Sequence, residues 1–258
     1  VYHRSLLLLE SRQFRTDGAA KIIAVSEEVK NDIIRHYSVP ADKVEVVYNG
    51  VDQNRFHPAR RAEARDEIRQ RWKIPLDSPL VLFVGSGFRR KGMDRLLSLW
   101  NSPRLREVFL LVVGDDARLQ RYDSLANSIA PGRIVFAGRR DDVEDYYAAA
   151  DVVALPALQE AFGNVVMEAV ASGVPVLVSR EVGAAEILRG PLAEGIVDRV
   201  DDARELEEKL LLLLAASRDP GWSRQARQIG ESYSWDRHFK KIEAVLFESC
   251  RVASGAAS

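Results

Sequence analysis

Between residues 80 and 197 short apolar runs alternate with segments of helical spacing, and this alternation constrains the fold more than any other feature of the chain. Residues 80–84, 108–113, 134–137, 152–155, 174–178 and 195–197 have the length and β-branched content of strands. The intervening residues 93–100, 118–129, 143–149, 164–172 and 184–189 read as helices, and a Leu-rich helix over 203–216 follows the last strand. Strands that are apolar throughout bury both faces, so helix-length connections between them predict a parallel sheet covered on both sides. The expected architecture is α/β, a Rossmann-like doubly wound parallel sheet. Ligands of such sheets sit beyond the carboxyl ends of the strands, which directs attention to the loops after Val84, Val113, Ala137 and Leu155.

The region before residue 80 is organised differently. Residues 1–16 read as the tail of a helix and 21–25 as a short strand. Ser26 is a suitable N-cap for a helix carrying Val29, Ile33 and Ile34, which Pro40 stops. Residues 44–48 form another strand, ending in the turn Asn49-Gly50. Residues 53–79 are charged and poor in apolar side chains, with an exposed helix expected over 59–71. The division expected is 1–52 as the remnant of a first domain with its linker, 53–233 as the main domain, and 234–258 as a C-terminal helix and tail.

The 258 residues accommodate one large α/β domain, or a medium one with part of another. Thirty-seven basic against 38 acidic side chains give a net charge of −1, which argues against a nucleic-acid binder. Cys250 is the single cysteine, so no disulfide forms within the chain and no thiolate zinc site can be built. His3, His36, His57 and His238 show no metal-ligand spacing. These features fit a cytoplasmic setting. The run from Leu6 to Leu9 is too short to cross a bilayer.

Two loops stand out. Gly85-Ser86-Gly87-Phe88-Arg89-Arg90-Lys91-Gly92 follows a strand and opens a helix. Its glycines let the backbone approach an anion, and Arg90 and Lys91 add charges suited to a diphosphate. Met93 after Gly92 excludes a Walker A loop, and Arg90 stands where a dinucleotide fingerprint needs its third glycine. The second segment runs from Gln159 to Ala169. There Gly163 and Asn164 open a helix, Glu160 precedes it, and Glu168 lies eight residues further on. Carboxylates so placed suit vicinal sugar hydroxyls if Glu160 folds over the helix start; otherwise Glu160 is a cap and Glu168 a solvated side chain. Gly114-Asp115-Asp116 and the stretch Gly138 to Asp142 could each edge a nucleotide base, although Asp141 reads more naturally as a helix N-cap. Ser172-Gly173 reads as a helix C-cap.

Taken together, Asn49-Gly50-Val51-Asp52 with Phe56, the loop Gly85 to Gly92, the stretch Gly138 to Tyr147, and Glu160 to Pro175 resemble glycosyltransferase family 4, over about residues 20 to 245. The wording of the two main loops is most similar to the lipopolysaccharide core glucosyltransferase I group of that family. The resemblance implies a GT-B fold whose donor-binding half is present, with retention at the anomeric carbon and no divalent metal or other cofactor. Arg90 and Lys91 match the pair that neutralises the donor diphosphate and stabilises the departing nucleotide. Glu168 matches the glutamate on the ribose hydroxyls, and Glu160 the one on the donor sugar. The backbone of Phe162, Gly163, Asn164 and Val165 matches the part that meets sugar and phosphate, with Gly85 and Gly87 in the phosphate turn and Arg139 beside the uracil. The implied partners are a UDP-sugar, UDP-glucose foremost, and a glycan or lipopolysaccharide acceptor, with peripheral association at the cytoplasmic face of the inner membrane. Full members begin with an acceptor-binding domain of which residues 1–48 match only the end. The expectation is therefore weak donor binding and little transfer by this chain without a partner half. Two other readings remain: a non-catalytic nucleotide-binding module, and an NAD-dependent oxidoreductase with Asp115 on a ribose.

Overall fold

A computed structural model describes residues 9–15 and 18–255, with side chains through Cys250. The chain divides into two compact units. One comprises the described residues up to Gly50 together with the segment from Tyr233 onward, and the other comprises Val51–Ser232.

In the first unit β1 (Ile22–Ala24) pairs in parallel with β2 (Val44–Val46), Ile22 opposite Val44. The crossover is the helix Glu27–Tyr37. Ser26 caps it, its hydroxyl accepting the Val29 N–H at 3.1 Å, and Ser38 ends it in the left-handed region. Ala24, Ile33, Val39 and Val44 form a small core. The C-terminal helix Trp235–Gly255 belongs to the same unit, and His238 Nδ1 lies 2.9 Å from the Tyr48 carbonyl. Residues 9–13 are helical, while the first eight residues of the expected N-terminal helix lie outside the described set.

The second unit contains the expected sheet. Its strands are β3 (Leu80–Val84), β4 (Phe109–Val113), β5 (Ile134–Gly138), β6 (Val152–Leu155), β7 (Val176–Ser179) and β8 (Ile196–Val197). All pair in parallel, in the order β5-β4-β3-β6-β7-β8. Leu80–Phe83, Leu110–Val112 and Val152–Leu155 are buried, which is why these runs show no polar alternation. The order reverses between β3 and β6. In sheets of this kind the binding crevice lies at the carboxyl ends of the strands that flank the switch point, and here the two loops singled out above follow β3 and β6.

Several elements differ from expectation for local reasons. The strand expected from residue 174 begins at Val176, because Val174 still closes the preceding helix: its N–H bonds the Ala169 carbonyl, and Gly173 sits at φ +73°. The helix expected over 184–189 is a 3-10 segment, Gly183–Ile187. Asp141 does not cap the helix Val143–Ala149. Asp142 holds that position, makes no capping bond, and instead pairs with Arg71 at 2.9 Å.

The helix Arg60–Arg71 was expected to be exposed, yet Ala64, Ile68 and Arg69 are buried against the helix Val143–Ala149. Its arginines explain the discrepancy. Arg69, fully buried, donates to the Ala149 and Ser78 carbonyls and to Asp151 at 2.8 Å, and Arg61 donates to the Ala150 carbonyl and to Asp151. Cations at a helix C-terminus satisfy its unpaired carbonyls, so this face packs through guanidinium groups rather than aliphatic side chains. The helix Pro220–Ser232 was not anticipated either. It packs on Asn164–Ala171 through small residues, and a Cβ on Gly230 would stand 2.7 Å from the Ala171 Cα.

Candidate functional site

The turn after β3 is held from both sides. Gly85 N–H continues the ladder to the Val113 carbonyl at 2.9 Å. Phe88 turns inward, buried against Phe83, Tyr122 and Phe136, and anchors the turn in the core. Asp116 accepts the Phe88 N–H at 2.8 Å, so its carboxylate braces this turn. Gly92 has φ +83°, and a Cβ there would lie 1.8 Å from the Pro156 carbonyl oxygen. Glycine at this position therefore allows the β3 turn to lie against the loop after β6. Leu158 N–H donates to the Arg90 carbonyl at 2.8 Å and joins the two loops directly.

Glu160 is fixed by the loop after β7. Its N–H donates to the Glu181 carbonyl, and its own carbonyl accepts from Gly183. The carboxylate thereby faces the β3 turn. Lys91 Nζ lies 3.2 Å and Arg90 Nη1 3.0 Å from Glu160 Oε2, and Arg90 also donates to the Gln159 carbonyl. Lys91 and Glu160 are largely shielded, at 12% and 17% side-chain exposure, whereas Arg90 is 53% exposed. Lys91 is thus the partner whose charge is least screened by solvent.

Gly163 at φ +87° starts the helix Asn164–Ala171, and no side chain caps that start. A helix start of this kind directs main-chain N–H groups and the positive end of the helix dipole outward from its first turn. Phe162 and Val165 are buried, while Asn164 is exposed. Glu168 is not the solvated residue of the alternative reading. The Tyr147 hydroxyl donates to its Oε2 at 2.6 Å. Burial raises the Glu168 carboxyl above its ordinary 4.5, and the Tyr147 hydrogen bond and the charges of Arg55 and Lys91 pull it only partly back. Lys91 therefore touches Glu160 directly and is an electrostatic neighbour of Glu168.

Because the folded-state value of Glu168 is raised, its contribution to stability is complete below pH 4.5 and is lost as pH rises through that raised value. At pH 7 the ionised carboxylate costs stability. Glu168→Gln, which keeps an acceptor for Tyr147, is expected to raise Tm at pH 7. Calorimetric melts at pH 7 and pH 4.5 check this, the gain being smaller at the lower pH.

The structure thus brings together Gly85, Gly87, Arg90, Lys91, Glu160, Gly163, Asn164 and Glu168 around one crevice. Arg139 stands apart from this cluster. It follows β5, an edge strand two positions from β3, is exposed, and makes no side-chain hydrogen bond or ion pair with a described residue. Arg55, Tyr147 and Asp116 are the contributors that motif reading did not single out for these roles. A glycine-aspartate pair at the end of the strand beside β3 was the one visible signal for Asp116. The link between Tyr147 and Glu168 spans 21 residues and has no local signature. Among the described residues no three His, Cys, Asp or Glu side chains are grouped to hold a metal ion.

A six-stranded parallel sheet with paired cations and carboxylates gathered at its switch point defines the class as a Rossmann-like domain of GT-B type. Residues 64–232 match the family described as Glycosyl transferases group 1, and residues 2–55 match Glycosyltransferase Family 4. The chain belongs to the group 1 glycosyl transferases.

Similar proteins include the lipopolysaccharide glucosyltransferase WaaG of Escherichia coli K12, 28% identical over 89% of this chain and 63% of that protein. The D-inositol 3-phosphate glycosyltransferase of Streptomyces bingchenggensis is 32% identical over 91% of this chain and 54% of that protein. Among solved structures, that of WaaG, a glycosyltransferase involved in lipopolysaccharide biosynthesis, superposes with a TM-score of 0.77 at 26% identity, covering 91% of this chain and 65% of that one. Anabaena HepE in complex with UDP-glucose shares the fold, with a TM-score of 0.75 at 21% identity over 90% of this chain and 65% of that one. The chain spans between about half and two thirds of the length of these relatives.

Proposed function

We propose that this chain is the donor-binding portion of a retaining hexosyltransferase that takes glucose from UDP-glucose and delivers it to a lipopolysaccharide core or another glycan acceptor. The observation that carries the donor reading is the position of Lys91, against Glu160 and in the field of Glu168, with an uncapped helix start alongside. A diphosphate fits the cations and the helix start, and the two carboxylates suit the hydroxyls of the sugars at either end. In this reading Arg90 and Lys91 receive the charge that develops on the β-phosphate as its bond to the sugar breaks. Glu168 holds the ribose and Glu160 the hexose. The reading requires no metal, since the two side chains supply the countercharge. Glucose and the lipopolysaccharide acceptor rest on the likeness to WaaG. The inositol phosphate enzyme, similar to the same degree, makes the acceptor the least constrained part of the proposal. Peripheral attachment to the cytoplasmic face of the inner membrane goes with the same likeness. No helix among the described residues is long and apolar enough to cross a membrane.

Glu160 already occupies the cations that a diphosphate would use, so the two compete for them. Glu160→Ala is therefore expected to leave UDP affinity undiminished while removing the additional affinity contributed by the glucose. Paired calorimetric titrations of UDP and UDP-glucose test this, and equal losses for both ligands would overturn the sugar-binding role.

A further inference from the structure

Tyr147 lies on the helix Val143–Ala149 and is fully buried, with the Phe56 ring edge-on at 5.5 Å between centroids. Its hydroxyl is the one polar atom of the side chain, and it is directed at Glu168 Oε2. Among the described residues no other hydrogen-bond donor to the Glu168 carboxylate is found. An interior phenylalanine would fill the same volume without this bond, so core packing alone does not account for a tyrosine here.

We propose that Tyr147 is a positioning residue: its phenol fixes the rotation of the Glu168 carboxylate so that the remaining oxygen surface meets both hydroxyls of a ribose, and it thereby makes the site selective for ribonucleotides over deoxyribonucleotides. This rests on the reading that Glu168 holds the donor ribose. A carboxylate anchored by one oxygen loses rotational freedom before the ligand arrives, and a pre-set acceptor discriminates more sharply against a ligand that lacks one donor. Phe56 belongs to the same device, because it prevents the phenol ring from turning away.

The test uses the full chain and two probes, uridine diphosphate and 2′-deoxyuridine diphosphate, titrated against wild type, Tyr147→Phe, Glu168→Ala and the double variant. Wild type is expected to prefer the ribonucleotide by roughly tenfold or more. Tyr147→Phe should bring that preference close to unity while changing affinity for the deoxynucleotide less than threefold. The double variant should match Glu168→Ala, since the tyrosine acts through the glutamate. Phe56→Leu keeps the hydroxyl but frees the ring, and it should lose part of the preference. It carries the comparison if Tyr147→Phe does not fold. If Glu168→Ala abolishes the preference while Tyr147→Phe and Phe56→Leu retain it in full, the positioning role is wrong and the ribose reading stands. If Glu168→Ala itself retains the preference, both are wrong.

Discussion

Replacing Lys91 with alanine is expected to weaken UDP binding by about 1–3 kcal/mol, roughly five- to 150-fold, with no comparable loss of stability. The size follows from its surroundings. The ammonium is almost shielded from water, so its attraction to a diphosphate is damped less than that of a surface lysine. Arg90, more than half exposed, should produce a smaller loss on the same substitution. Arg89, exposed in the same turn, serves as the control: Arg89→Ala removes the same unit of charge and should leave affinity within about twofold. Isothermal titration at two salt concentrations checks the order. A loss at Arg89 equal to that at Lys91 would mean that the turn acts only through its net charge.

The largest effect on stability is expected at the opposite end of the sheet. Asp151 accepts from Arg61, from Arg69 and from the Leu80 N–H at 2.9 Å, and Arg69 has no exposed side-chain surface. Asp151→Ala leaves that guanidinium buried without its counter-ion, and losing one partner of such a pair costs about 3–5 kcal/mol. Burial alone would raise the Asp151 carboxyl, but the Arg69 charge, the Arg61 hydrogen bond and the Leu80 N–H outweigh it and hold the group below its ordinary 3.8. A depressed carboxyl stabilises above pH 3.8 and ceases to do so as pH falls through its lowered folded-state value. Wild type should therefore lose this contribution only under strongly acid conditions, whereas Asp151→Ala lacks it at every pH. Thermal melts from pH 3 to pH 7 would show the two Tm curves converging at the acid end. Parallel curves would contradict the assignment.

How much of this was legible in the sequence depends on whether a feature is local. The six strands and the crevice at their carboxyl ends were legible because apolar runs and helical spacing are short-range patterns that burial on both faces enforces. The association of the glycine turn with Glu160 was also legible, since both lie at the ends of strands that a doubly wound sheet places side by side. Features made by long side chains were not. Arg60–Arg71 reads as a solvated helix because its packing runs through Arg61 and Arg69 to carbonyl groups about 80 residues away. Pro220–Ser232 places Trp222, Ala226, Ile229 and Gly230 on one face, a pattern shortened by the use of small residues, because Gly230 lies in close backbone contact with Ala171 where a large side chain would not fit. Tyr147 was one aromatic residue among several until its hydroxyl was seen against Glu168.

A crystal structure of the chain with UDP-glucose tests the central claim most directly. The account predicts the diphosphate within hydrogen-bonding distance of Lys91 Nζ and of the main chain at Gly163 and Asn164, with the ribose on Glu168. The contrary result is a nucleotide bound away from the switch point, for instance in the cavity at the other end of the sheet lined by Arg61, Arg65 and Arg218.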